Sequence, residues 1–291
     1  MQYKAFGNVG AWHLSAVARR AKADAMPVRN GAARAMPQDF ARDLLEAEEA
    51  FLRVGNVVTR LDGAELISNP HLHALPEANQ VRRVRARDDD AGDRLVGEAE
   101  RHFRSIRPAV RRWVLDPGAT PARFGEFLEQ QGYAGYPEEG LVARDAAAAP
   151  LDPDVRLREI RDDPDWDLLE KLDISSNERR LTLEMWDLLV ELRRLKSKDP
   201  AFRYRIVELR EEPIGVVGLY RTPSVGLIED LYIRPELRDK GIGRGVLARL
   251  AAELGRDAAL GVVCPADESE SEFYTHLGFE TVLELRAYEK V

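Results

Sequence analysis

Hydrophobic and polar positions change their spacing several times along the second half of the chain. From Val155 to Ile160 apolar and charged residues alternate, the period of a half-buried strand. A helix is predicted over 165–177, and a second over 181–198, where Leu181, Met185, Leu188, Leu189, Leu192 and Leu195 recur at helical spacing. Phe202–Leu209 and Ile214–Tyr220 alternate again as strands, joined by the hairpin-like turn Arg210-Glu-Glu-Pro213, and Leu227–Ile233 is a further strand. Ile242, Val246, Leu247, Leu250, Ala251 and Leu254 fall on one side of a helix. Leu260–Val263 is a short apolar strand. The next helix carries Phe273, Tyr274 and Leu277, is capped by Asp267 and is stopped by Gly278. Two closing strands are expected, over Glu280–Leu283 and Glu284–Lys290.

The first half is less regular. Phe40–Val54 and Ala91–Arg104 predict helices, and Asn56–Leu61, Glu65–Ile67 and Gln80–Arg87 predict strands. A strand over Arg112–Leu115, a helix over Thr120–Gln131 and a strand over Gly140–Arg144 follow. The helix end Leu128-Glu-Gln-Gln-Gly-Tyr133 parallels Tyr274-Thr-His-Leu-Gly-Phe279, which suggests an internal repeat. Between the halves, Arg144–Asp154 is small-residue, proline-marked and aperiodic, as a linker is. The expected division is a disordered tail over 1–36, a first domain over 37–145, a linker over 146–150 and a second domain over 151–291, each domain with its own core.

Composition narrows the class. The 291 residues are 44% hydrophobic and 32% charged, as in globular proteins, and no apolar run reaches the length of a membrane span. The single cysteine, Cys264, allows no internal disulfide and points to a reducing, cytoplasmic location. A net charge of −8 disfavours nucleic acid as a partner and mildly favours a cationic one.

The most informative stretch is Arg238-Asp-Lys-Gly-Ile-Gly-Arg-Gly245, a glycine-punctuated basic turn between a strand and a helix start. Such a turn can cradle phosphate, because glycine lets backbone approach closely and a helix N-terminus offers unpaired N–H groups. The glycines at 241, 243 and 245 do not match the dinucleotide fingerprint, and no Walker loop is present. What does match is R-x-x-G-x-G, from Arg238 to Gly243, preceded by Ile228-Glu-Asp-Leu-Tyr-Ile233 and followed later by Phe273-Tyr-Thr-His-Leu-Gly-Phe279. These motifs resemble those of the GNAT N-acetyltransferases. The order of elements over 151–291 is similar to that family's, and the first half resembles a degenerate member with no cofactor loop. The implied fold class is α+β: tandem GNAT-like domains, each a mixed, mostly antiparallel sheet flanked by helices.

The resemblance also implies roles. Leu231, Tyr232 and Ile233 would bind the pantetheine of acetyl-CoA, with a backbone N–H near Leu231 as oxyanion donor. The loop of Arg238, Asp239, Lys240, Gly241, Ile242, Gly243 and Arg244 would hold the pyrophosphate, with Asp267 near the cofactor. Tyr274 would be the acid for the departing thiolate, or else a packed aromatic. Glu229 is the first candidate for the base and Asp230 the second; strand alternation lets only one face the thioester unless a bulge intervenes. Either could instead bind the acceptor or pair with an arginine. Trp166 and Trp186 would line the acceptor groove or belong to the core. Cys264 reads as a buried small hydrophobe, His71 and His73 as loop residues, and Asp88–Asp90 as a solvated turn. No metal site is expected. The expected activity is direct acetyl transfer to a primary amine of a small molecule, by a monomer with pseudo-dimeric halves or a homodimer. The alternative is a non-catalytic acyl-CoA-binding module.

Overall fold

A computed structural model of the chain describes residues 39–108, 110–144, 154–172, 183–255, 257–266 and 270–290. The expected tail over 1–36, the linker and Asp267 lie outside the described residues.

The first half comprises α1 (Asp39–Arg53), β1 (Val57–Leu61), β2 (Ala64–Ser68), β3 (Gln80–Arg82), α2 (Asp89–Ile106), β4 (Arg111–Leu115), α3 (Phe124–Gln130) and β5 (Ala134–Ala143). The second comprises β6 (Val155–Glu159), α4 (Asp163–Lys171), α5 (Leu183–Lys196), β7 (Phe202–Leu209), β8 (Glu212–Arg221), β9 (Val225–Ile233), α6 (Ile242–Leu254), β10 (Ala259–Pro265), α7 (Glu270–His276) and β11 (Glu280–Lys290). Three sequence expectations are revised. The two closing strands are one, β11, with a bulge between Thr281 and Leu283. The strand expected at 140–144 begins six residues earlier, at Ala134. Asp88–Asp90 is a helix start, with Asp88 accepting the N–H of Ala91 as the cap of α2.

All eleven strands form one sheet, in the order β1-β2-β3-β4-β11-β5-β10-β9-β8-β7-β6. Among the described strands only β3–β4 and β9–β10 pair in parallel, each across a helix, α2 or α6. The order is nearly symmetric about the β11–β5 pair, with β6 as the extra strand. At the centre each half lends its last strand to the other. β11 lies between β4 and β5, and β5 lies between β11 and β10. The cores are shared accordingly, in place of the separate cores expected. One cluster joins Leu44, Phe51 and Val142 of the first half to Trp166, Trp186, Phe202, Tyr232 and Leu285 of the second. Phe51 lies 5.1 Å from Phe202 and 5.6 Å from Tyr220 between ring centroids. Trp166 stacks on Tyr204, and both tryptophans are core residues.

The repeat read from the two helix ends is present in hydrogen-bond detail. Tyr133 N–H donates to Leu128 O at 3.0 Å, and Phe279 N–H donates to Tyr274 O at 3.1 Å. Gly132 and Gly278 adopt left-handed φ of 86° and 87° at these closures.

Candidate active site

The site begins where two strands part. β9 and β10 pair at Val225–Ala259, Gly226–Leu260 and Gly261–Leu227, and no farther. β9 runs on to Ile233 and β10 to Pro265, so a wedge opens between them. Along it, Ile228–Ile233 of β9 pair with no described strand on that edge. Leu231, Tyr232 and Ile233 are buried, with Leu231 and Ile233 facing α6 and α7, and Tyr232 facing the opposite layer.

The wedge ends at the N-terminus of α6. Gly241 is its N-cap at φ 77°, with no side chain capping the first turn. A Cβ at Gly241 would meet nothing within 4 Å, so the approach is open. Gly243 does have a neighbour, since a Cβ there would come within 3.2 Å of the Phe273 ring. That contact ties the loop to α7. Asp239, Lys240 and Arg244 are exposed, and Ile242 is turned into the core. Arg238, expected among the phosphate-binding charges, folds back on β9. Its Nε donates to Ile233 O at 2.9 Å and its guanidinium lies over the Tyr232 ring at 5.5 Å. Arg238 therefore secures the loop to the strand.

The equivalent place in the first half is closed. Thr120 zips across from beyond β4: its N–H donates to Val84 O at 3.1 Å, and its carbonyl accepts Ala86 N–H at 3.0 Å. The α2 N-terminus is capped by Asp88 and flanked by Asp89 and Asp90, which fill and repel where α6 is open and basic. Leu128 stands fully buried at the place of Tyr274.

Glu229 and Asp230 sit at a bulge in β9. The register against β8 shifts between Gly218–Glu229 and Val216–Tyr232, and Asp230 takes a left-handed φ of 50°. The bulge aims both carboxylates at Arg193 of α5. Asp230, the second candidate for the base, is held there. It is buried and accepts a hydrogen bond from Arg193 Nε, so it is a structural ion-pair partner. Glu229 is freer: its Oε2 lies 3.8 Å from Arg193 Nη2, and its side chain keeps 21% of its exposure. Gly218 opposite makes room, since a Cβ there would come within 3.0 Å of Glu229 Cβ and 2.9 Å of Phe202. Burial pushes the Glu229 carboxyl well above the usual carboxylate range; Arg193 opposes, and Glu77 and Asp230 add to the rise.

Glu77, Arg193 and Lys196 were not singled out from the sequence. Arg193 is fully buried, and Glu77 of the first half accepts its Nη1 at 2.6 Å and its Nη2 at 3.1 Å. Lys196 is also buried, donates to Phe51 O at 2.5 Å and lies over the Phe51 ring. Burial lowers its pKa. The available signal was position: Arg193 and Lys196 lie four residues after Leu189 and Leu192, on the face predicted to be buried.

Tyr274 is buried with its ring edge-on to Phe273 and Phe279, at 5.1 and 5.2 Å. Burial, with Cys264, Glu270, Glu229 and Asp230 adding, holds its phenol well above the usual pKa. It therefore keeps its proton and can serve as an acid or donor. Cys264 is buried. No group of His, Cys, Asp or Glu among the described residues is placed to hold a metal. Among the described residues no helix is long and apolar enough to cross a membrane.

Residues 200–281 match the family model described as an acetyltransferase (GNAT) domain. No curated protein matches the chain. Among solved structures it is similar to a functionally unknown conserved protein from Staphylococcus epidermidis ATCC 12228, at 11% identity and TM-score 0.68 over 81% of this chain and 94% of that one. A GCN5-related N-acetyltransferase from Kribbella flavida aligns at 10% identity and TM-score 0.60 over 86% of this chain and 95% of that one. A tandem GNAT protein from the clavulanic acid biosynthesis pathway aligns at 14% identity and TM-score 0.51 over 80% and 81%. At these identities the structures speak for the fold. The chain has the fold of tandem GNAT proteins, and its second half carries a GNAT acetyltransferase domain.

Proposed function

We propose that the second half transfers an acetyl group from acetyl-CoA directly to a primary amine of a small molecule. The observation that carries this reading is the end of β9–β10 pairing at Leu227–Gly261, beside an α6 N-terminus with no side-chain cap. An extended pantetheine chain fits such a wedge, and a pyrophosphate fits the uncapped, basic turn. Leu231, Tyr232 and Ile233 would line the first, and Lys240 to Arg244 the second. The residues present fit the cofactor that the family uses.

Acetyl-CoA supplies a thioester when bound. Glu229 takes a proton from the acceptor ammonium, directly or through water, because only the neutral amine is a nucleophile. Its raised pKa suits a base working near neutral pH. The backbone N–H near Leu231 meets the developing oxyanion. The Tyr274 phenol gives its proton to the departing thiolate, and no covalent acyl-enzyme is needed. A partly exposed Glu229 side chain and a net charge of −8 suit a cationic acceptor. Neither nucleic acid nor a membrane is proposed as a partner. The protein would work in the cytoplasm, as a monomer whose halves mimic a dimer or as a homodimer.

The test is release of free CoA thiol from acetyl-CoA across a panel of small primary amines, in wild type and Glu229→Gln. Amine-dependent release that the substitution abolishes supports the reading. Tight acetyl-CoA binding with no release across the panel would leave a binding module as the better description.

A further inference from the structure

Arg193 has more carboxylates around it than it can serve. Its Nε donates to Asp230, and its two Nη atoms donate to Glu77 at 2.6 and 3.1 Å. Glu229 is left 3.8 Å from Nη2, beyond hydrogen-bond range. The guanidinium is 1% exposed, so it cannot turn to water for a partner. Were Glu77 absent, Glu229, 3.8 Å from Nη2, would be the carboxylate not already bonded to Arg193 that the outer edge of the fork could take. A carboxylate clamped by a buried guanidinium is a poor base, because the clamp favours its charged form.

Glu77 comes from the first half. It lies in the 3-10 turn Pro76–Ala78 that leads into β3. The half that has no cofactor wedge of its own thus reaches the catalytic half at its candidate base.

We propose that Glu77 is a positioning residue for acetyl transfer: by occupying Arg193 it keeps the guanidinium from clamping Glu229. This inference rests on the acetyl-transfer reading above. The charged and titratable groups around Glu229 are Arg193 and Lys196 from α5, Glu77 from the turn before β3, Asp230 beside it on β9, and Tyr274 from α7. Of these, Glu77 is the one supplied by the other half. Its negative charge also acts directly on Glu229, in the same direction as the loss of a clamp.

The full chain labelled with 13C at the glutamate side-chain carboxyl gives a direct readout, the NMR titration of Glu229, assigned by its absence in Glu229→Gln. In Glu77→Gln the titration midpoint of Glu229 is expected to fall by about one pH unit or more. Glu77→Asp keeps the charge but is one methylene shorter and reaches Arg193 less closely, so a smaller fall is expected. It carries the test if Glu77→Gln does not fold. An unmoved midpoint in a folded variant overturns the proposal. Calorimetric titration of acetyl-CoA into the same samples separates two failures. A wild type that does not bind acetyl-CoA overturns the acetyl-transfer reading, whereas binding with an unmoved Glu229 overturns only the role of Glu77.

Discussion

Leu128 and Tyr274 occupy the same position in two matching helix ends, each accepting at its carbonyl the N–H of the residue five places on. The backbone has been kept while the side chain differs. One half has a buried aliphatic there and the other a protonated phenol. That difference, with the closed wedge of the first half, favours the second half of a nearly symmetric sheet for the proposed chemistry.

Tyr274→Phe keeps the ring packing against Phe273 and Phe279 and removes only the hydroxyl. The variant is expected to fold and bind acetyl-CoA as wild type does, while kcat falls by about 10²–10⁴-fold. Steady-state thiol release checks this, and an unchanged kcat would return Tyr274 to the role of a packed aromatic.

The pH dependence follows from the raised Glu229. A base works only when deprotonated, so kcat/KM should rise with pH through a midpoint above the usual carboxylate range, and Glu229→Gln should remove that limb. Stability runs the other way. Between the usual range and the raised value, the folded protein holds the Glu229 proton more tightly than the unfolded chain does. Ionising it therefore costs stability as pH rises through that window. Urea titrations at several pH values should show a decline that is smaller in Glu229→Gln. Matching pH profiles for the two proteins would contradict the burial effect.

Asp230→Asn isolates the charge of the buried pair, because asparagine tolerates the left-handed backbone at φ 50°. Arg193 keeps Glu77 when Asp230 is neutralised, so the loss is that of one charge-assisted hydrogen bond, about 1.5–3 kcal/mol. Chemical denaturation should show a loss of that order, and a loss below about 1 kcal/mol would mean that Arg193 is satisfied without Asp230.

The strand exchange predicts that the halves unfold together. A chain ending at Gly278 lacks β11, which pairs with both β4 and β5. Both halves should lose amide protection in hydrogen exchange, including β1–β3 at the far edge. Protection retained throughout the first half would show that it is an independent unit.

The sequence made some of this legible and hid the rest for physical reasons. Periodicity exposed the order of elements in the second half, and glycine spacing exposed the α6 turn. Alternation shows that β11 is a strand, but not that its neighbours are β4 and β5. Gly135, Pro137 and Gly140 disguise the start of β5 as a loop. Alternation also placed Glu229 and Asp230 on opposite faces, and the bulge at Asp230 turned both to Arg193. Glu77 sits in a proline-marked turn with no pattern of its own. It becomes visible only when Arg193, distant in sequence, is placed beside it.

The second half is proposed to bind acetyl-CoA at the wedge between β9 and β10. Isothermal titration of acetyl-CoA into wild type and into the Lys240→Glu, Arg244→Glu double variant separates the possibilities. Both residues are exposed, so the fold is not at stake. One site per chain is expected, weakened by about tenfold or more in the variant. Absence of binding, a second site of equal affinity, or binding unchanged by reversing both charges would contradict it.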